Sequence, residues 1–208
     1  MKYAAIIVFS ATSLALGSAT MPGQSVASPE ATGQSQLTEH GKTDVGGHST
    51  QYLIHLLPAS SFPDLPDAIA NVLNERGCMI PQTYQAHHPE NVVEASLEHA
   101  GSSDWAVLCS TRGTVALLVF FARAPGHPVT LASAAETDRL QAHDSSGVLG
   151  FDWGIDPASP EEIHEAQQGM RHPPPRLDHD AIADSVIDQT TIYHFYLKGA
   201  WTLIDTQD

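Results

Sequence analysis

Two stretches of the chain carry the hydrophobic spacing and the end signals of helices. The first begins at 64–67 with an acidic cap and a proline in the first turn, and it has apolar residues three or four positions apart until a glycine ends it: Leu65, Ile69, Val72, Leu73 and Gly77. The second begins at Ser159, where a proline follows the serine and Glu162 completes a capping box. Both stretches therefore predict short amphipathic helices.

A third helix is predicted near the C-terminus. Asp178 or Asp180 is a suitable cap, and the helix would run to about Ile187. Ile182 and Val186 lie four positions apart, so both would face the core.

Alternating residues and short apolar runs predict strands elsewhere, at 92–97, 105–110, 114–121, 151–155, 191–197 and 200–204. Short turns separate two pairs of these strands, Thr111-Arg112-Gly113 in the first pair and Lys198-Gly199 in the second. Each pair therefore predicts a hairpin. With no internal repeat, the pattern predicts an α+β domain with a mainly antiparallel sheet, about three short helices and one disulfide.

The N-terminal residues have the pattern of an export signal. Lys2 supplies a positive charge, an apolar stretch follows to Leu16, and small residues precede Thr20. We expect a signal peptide over 1–19, a flexible tether rich in Gly, Ser, Thr and Gln over 20–50, and one folded domain over 51–208. A retained signal anchor is the alternative, although the apolar stretch is short for a membrane span.

The chain has two cysteines, Cys78 and Cys109. In an exported protein, an even number of cysteines indicates a disulfide. A catalytic thiol and a metal-binding pair are the alternatives, but neither cysteine belongs to a CxxC motif.

Charge excludes some classes of partner. The 208 residues contain 9 Lys and Arg against 24 Asp and Glu, a net charge of -15. Such a chain repels nucleic-acid backbones and anionic lipid surfaces, so we expect neither nucleic-acid binding nor stable membrane insertion after signal cleavage. A basic envelope or secreted protein would be a suitable partner on charge alone.

Twelve histidines raise the possibility of metal chemistry. Imidazole and carboxylate groups bind divalent metals, and they are densest at His164, His172, Asp178, His179 and Asp180. The HExxH motif is absent, and the solvated face of an amphipathic helix explains the residues around His164 equally well. The metal site is therefore the alternative hypothesis, and no cofactor is the first expectation.

A polar segment between the two cysteines is the predicted contact region for a partner. It contains His87, His88 and Glu90, and Tyr84 adds an aromatic side chain. An ordinary exposed loop is the alternative. Further along, residues 98–104 resemble the calcium loops of integrin-type propeller repeats, but only Glu98 and Asp104 supply carboxylates there, too few for calcium.

Three stretches carry a resemblance to a known family. These are GCMIPQ at 77–82, Asn91-Val92-Val93, and DWAVLCS at 104–110. They resemble an uncharacterised family of exported bacterial proteins, to which 177–180 and 199–201 are also similar. The resemblance implies a periplasmic or secreted bacterial setting and no particular catalytic role.

We therefore expect an exported, periplasmic or secreted protein that acts by binding or inhibition rather than by catalysis. Motifs of hydrolases, phosphate-binding loops and dinucleotide-binding folds are absent from the sequence. A metal-dependent hydrolase or metal-binding protein built on the His/Asp cluster is the second hypothesis.

Overall fold

The computed structural model describes residues 35–168, 170, 173 and 175–205. In chain order the regular elements are β1 (Leu37–Val45), β2 (His48–Leu57), α1 (Asp67–Arg76), β3 (Ile80–Gln82), β4 (Val92–Ala95), β5 (Asp104–Thr111), β6 (Thr114–Phe120), β7 (Val129–Ala135), β8 (Leu140–Ala142), β9 (Leu149–Phe151), β10 (Trp153–Ala158), α2 (Pro160–Ala166), β11 (Ala181–Val186), β12 (Thr190–Leu197) and β13 (Ala200–Asp205). Two short 3-10 turns lie at 59–61 and 136–138.

The strands form three sheets. The first sheet has the order β1-β2-β9-β8, with β3 paired to β2 beside β9. Its β2 and β9 are parallel, whereas the other pairs in it are antiparallel. The central sheet is the antiparallel series β4-β5-β6-β7, and the third sheet is the antiparallel series β10-β11-β12-β13.

The central sheet separates two parts of the hydrophobic core. Successive side chains of a strand point to opposite faces. From β5, Ala106 and Leu108 join a large cluster that also contains residues of the first and third sheets. Val107 and Cys109 join a second cluster with the inner face of α1. This burial on both faces explains why β5 is apolar almost throughout.

The predicted disulfide between Cys78 and Cys109 is confirmed. Cys78 follows Gly77, which ends α1 in the left-handed conformation that favours glycine (φ 67°). Cys109 lies in β5, and the two Cα atoms are 5.2 Å apart. Met79 and Ser110 also exchange backbone hydrogen bonds beside the disulfide, so helix α1 is fixed to the central sheet at its C-terminal end.

Helix α2 begins as the sequence predicts. The Ser159 side chain accepts a hydrogen bond from the backbone N–H of Glu162, and the Glu162 carboxylate accepts one from the backbone N–H of Ser159. Ile163 of this helix is buried against the third sheet in a third core cluster.

The predicted fold class is wrong. The described residues are mainly β, with three sheets and two α-helices, so an all-β architecture replaces the α+β domain with three helices. The third predicted helix is strand β11, which pairs with β10 on one side and β12 on the other. Asp184, which a helix would expose, is buried there and accepts hydrogen bonds from Trp153 Nε1 (2.6 Å) and His194 Nε2 (2.9 Å).

The predicted tether also differs at its C-terminal part. Positions 37–50 form β1 and the start of β2, a hairpin closed by Gly46 and Gly47, both at positive φ. Backbone hydrogen bonds hold this hairpin together, while many of its side chains face solvent. Its polar composition therefore resembles that of a flexible tether. The predicted signal peptide and the tether residues 20–34 lie outside the described residues. Among the described helices, none has the length and apolar character of a membrane span.

Candidate functional site

The outer face of β2 forms the floor of a groove. Ile54 and Leu56 point inward and are buried in the largest core cluster. The alternate residues Leu53, His55 and Leu57 therefore point outward, where Leu53 and Leu57 are half-buried and His55 is exposed.

Three adjoining concavities follow this face of the strand. One of about 440 Å³ and one of about 320 Å³ share His55, Gln82, Thr83 and Tyr84 as lining residues. A third of about 470 Å³ continues from Leu53 and Val148 toward Gln51. We call the three together the β2 groove. From Gln51 to Leu57 its floor is about 20 Å long, at about 3.3 Å per residue.

Tyr84 forms the wall of the groove beside β9. Its ring stacks on His143 with centroids 4.6 Å apart and planes 8° from parallel. It packs over Gly150, where an added Cβ would lie only 2.5 Å from the Tyr84 Cβ. The Tyr84 hydroxyl donates a hydrogen bond to Asp188 (3.2 Å). Burial raises the pKa of Tyr84, and the Asp188 carboxylate raises it further.

Hydrogen bonds brace the loop 82–90 that carries the rest of this wall. The Glu90 carboxylate accepts from the backbone N–H of Thr83 (2.8 Å). The Gln82 side chain accepts from the backbone N–H of Glu90 (2.9 Å) and donates to the Glu90 carbonyl (3.0 Å). His87 and His88 are exposed and line the groove. Of the three predicted contact residues, the two histidines thus lie in the groove and Glu90 holds its wall.

The opposite side of this loop is acidic. Gln85, Asp156 and Asp188 line a fourth concavity of about 510 Å³. Desolvation raises the pKa of Asp156, and the Glu90 and Glu162 carboxylates raise it further, so both carboxylates lie within electrostatic reach of Asp156. The groove wall therefore lies beside a negatively charged surface.

Three of the predicted metal ligands, Asp178, His179 and Asp180, are engaged with protein groups, whereas the buried Nδ1 of His164 has no hydrogen-bond partner among the described residues. His179 is buried, with Nδ1 2.8 Å from the Asp178 carboxylate and Nε2 2.8 Å from the Tyr196 carbonyl. The hydrogen bond from His179 lowers the pKa of Asp178. The Asp180 carboxylate accepts from the backbone N–H of Ser96 (2.9 Å).

His164 lies in a separate small concavity with Glu161 and Glu165. Across residues 35–168, 170, 173 and 175–205, no three His, Cys, Asp or Glu side chains are grouped so as to hold a metal ion. His172 lies outside the described residues, so the metal site that includes it stays a prediction.

Sequence reasoning missed two residues of the groove, His55 and His143. The signal for His55 was present, since it is the one polar residue between apolar neighbours in a strand-forming stretch, 53–57. His143 gave no such signal, because its role depends on the ring of Tyr84.

Comparison of the chain with protein-family models, with curated proteins and with solved structures finds no match. The chemistry of the groove is therefore argued from its own residues.

Proposed function

We propose that this chain is an exported, non-enzymatic binding protein that holds a basic envelope or secreted protein through the β2 groove and the carboxylates beside it. The groove is the observation that carries the proposal. It joins half-buried leucines, exposed imidazoles and an aromatic wall over about 20 Å, a mixture typical of protein contact surfaces.

Charge supports a basic partner. The chain has a net charge of -15, and Asp156, Glu90, Glu162 and Asp188 concentrate negative charge behind the groove wall. Complementary charge accelerates encounter and selects among partners. Basic enzymes that act on the cell wall are one suitable class, and a protein that covers such an enzyme would act as an inhibitor.

The disulfide supports an exported location, because stable disulfides persist mainly in oxidising compartments. It closes a loop with a sequence separation of 31 residues and fixes α1 to the central sheet. Such a cross-link would stabilise a binding protein in the periplasm or outside the cell.

Site-directed photo-crosslinking tests the proposal. A photoreactive residue replaces Ala86, which lines the groove, or Thr202, an exposed residue of β13 that serves as the matched control. The exported chain is mixed with a panel of purified basic and acidic secreted proteins of similar size. We expect crosslinks to basic proteins from position 86 and not from position 202.

Charge variants test the electrostatic part. Asp156→Asn is expected to weaken binding of the crosslinked protein and to make that binding less sensitive to salt. The matched control is Asp138→Asn, which changes an exposed acid in the 136–138 turn. Equal crosslinking from both positions, or equal capture of acidic and basic proteins, would contradict the proposal.

A further inference from the structure

Strand β1 is the longest edge strand among the described residues. It lies at the end of the first sheet, where its backbone pairs only with β2. Its nine residues contain no proline and pair with β2 in an unbroken register. The edge strands of the other two sheets are shorter, β7 is interrupted by a bulge and β10 contains Pro157. A long uninterrupted edge presents a row of unpaired backbone N–H and C=O groups to another strand.

We infer that β1 pairs with β1 of a second copy of this chain, antiparallel and centred on Gly41, so that the first sheets of the two copies join. The inference goes beyond the proposed function and is independent of it.

The turn of the hairpin determines which backbone groups of β1 point outward. Gly46 and Gly47 form the turn, so Val45 and His48 flank it as a hydrogen-bonded pair. Bonded and non-bonded pairs alternate along antiparallel strands. The groups that point away from β2 therefore belong to Thr38, His40, Lys42 and Asp44. The last three of these residues are exposed, which leaves the edge accessible to another strand.

The exposed apolar side chains of β1 are placed symmetrically. Leu37 is 51% exposed and Val45 is 49% exposed, although both are large apolar residues. Each lies four positions from Gly41, and their even separation places them on the same face of the strand. In a pairing centred on Gly41, Leu37 of each copy faces Val45 of the other copy. The same contact thus forms twice, as the two-fold symmetry of a dimer requires.

Charge favours this register over its neighbours. Centred on Gly41, the pairing places Lys42 opposite His40, Asp44 opposite Thr38 and Glu39 opposite Thr43, so no like charges face each other directly. A pairing centred on Lys42 would place two lysines opposite one another, which is destabilising. A pairing centred on His40 would leave Val45 beyond the end of the other strand.

The two carboxylates of β1 already have partners within their own chain. The Tyr52 hydroxyl donates to Glu39 (3.1 Å), and the backbone N–H of Gly47 donates to Asp44 (3.1 Å). Because these bonds hold both acids, the edge needs no basic partner to compensate them. An identical strand satisfies its backbone groups with about eight new hydrogen bonds.

The dimer would bring two β2 grooves onto one surface. Directly paired residues of antiparallel strands lie on the same face of a sheet. His40 and Lys42 line the groove, so the grooves of both copies would lie on the same face of the joined sheet. The two β2 strands would be separated by three strand spacings, about 14 Å.

Sedimentation equilibrium of the exported chain over a range of concentrations tests the inference. We expect association to twice the mass of the chain. Lys42→Pro removes an outward N–H and spares the bonds to β2, so it should weaken association about tenfold. Leu203→Pro, at an exposed position of the edge strand β13 whose N–H points away from β12, is the matched control.

Salt dependence separates the dimer from the proposed function. Two copies with a net charge of -15 repel one another, so salt should strengthen the dimer. Binding of a basic protein should instead weaken with salt.

Cysteine crosslinking tests the register. Leu37→Cys/Val45→Cys should give a covalent dimer under mild oxidation, because each new cysteine faces one of the other copy. The two positions are about 26 Å apart within one chain, too far for an internal bond. Leu37→Cys/Thr43→Cys, which matches the pairing centred on His40, is the control and should crosslink about tenfold less. This arm keeps the test valid if circular dichroism shows that Lys42→Pro does not fold.

Three results would overturn the inference. The first is a monomer at every concentration, and the second is a dimer that folded Lys42→Pro leaves unchanged or that crosslinks equally from both cysteine pairs. The third is a dimer that forms only when the chain begins at Ser35, because earlier residues would then cover β1 in the exported chain. None of these measurements involves another protein, so crosslinking from position 86 still tests the proposed function separately.

Discussion

Asp104 provides the sharpest test of how this fold is held together. Its carboxylate is fully buried and accepts four hydrogen bonds. One oxygen accepts from the backbone N–H groups of Leu97 (3.0 Å) and Glu98 (2.8 Å) and from the Ser102 hydroxyl, and the other accepts from the N–H of Ala122 (2.8 Å). The residue therefore joins the loop before β5 to the end of β6.

The loss of stability when an amide replaces this carboxylate can be worked out from its four hydrogen bonds. In Asp104→Asn the single oxygen can keep the three donors on one side, which turns the amide nitrogen toward the N–H of Ala122. Losing one hydrogen bond to a charged group costs about 1.5 to 3 kcal/mol. The three remaining bonds lose their charge assistance, which roughly doubles the strength of such bonds. We expect a total destabilisation of about 3 to 5 kcal/mol.

Urea unfolding followed by tryptophan fluorescence measures this loss. Asp138→Asn, at an exposed acid, is the matched control and should change the free energy of unfolding by less than about 0.5 kcal/mol. A loss below about 1 kcal/mol in Asp104→Asn would refute the reasoning, because it would mean that the four donors find other partners at little cost.

Three further outcomes are expected. The disulfide closes a loop with a sequence separation of 31 residues, and the loop-closure entropy for that length corresponds to about 3.7 kcal/mol. The double variant Cys78→Ala/Cys109→Ala should therefore lose about that much free energy of unfolding, measured in urea, and a loss under about 1 kcal/mol would contradict this. Burial raises the pKa of Glu136 and Asp152, so these carboxyl groups keep their protons to higher pH in the folded protein than in the unfolded chain. Their contribution to the free energy of unfolding is therefore fully present at acidic pH and is lost as the pH rises through the raised pKa values. Between pH 4 and 8, the free energy of unfolding should therefore fall less steeply in the Glu136→Gln/Asp152→Asn variant than in the unmodified chain. Equal slopes for the two proteins would contradict this reasoning. Tyr84→Phe removes the hydroxyl that donates to Asp188, so the free energy of unfolding should fall by about 0.5 to 1.5 kcal/mol in thermal unfolding. An unchanged melting temperature would contradict this.

Local signals predicted the elements that depend on neighbouring residues. The capping box of α2 lies within four residues, and the hairpin of β5 and β6 closes through a turn with Arg112 and Gly113 at positive φ. The disulfide was equally predictable from the sequence, because a chain with two cysteines has only one possible pairing.

Strand β11 shows where this reasoning stops. Ile182 and Val186 at a spacing of four are compatible with a helix, and Asp180 is compatible with a cap. The Asp180 carboxylate instead binds the backbone of Ser96, far away in the sequence. The strand pairs with β10 over 181–186 and with β12 over 182–186, and this long-range pairing overrides the local preference for a helix.

The groove combines both kinds of information, and this explains why only part of it was predicted. His87 and His88 were found because they lie in a polar loop, which is a local property. The wall itself depends on Tyr84 meeting Asp188, 104 positions later in the chain, and on a glycine at position 150 that leaves room for the ring. A groove assembled from such distant segments keeps its shape only while the sheets keep their register. Under the proposed function, changes at Asp188 or Gly150 should therefore weaken crosslinking of the partner from position 86 as strongly as changes to the exposed histidines.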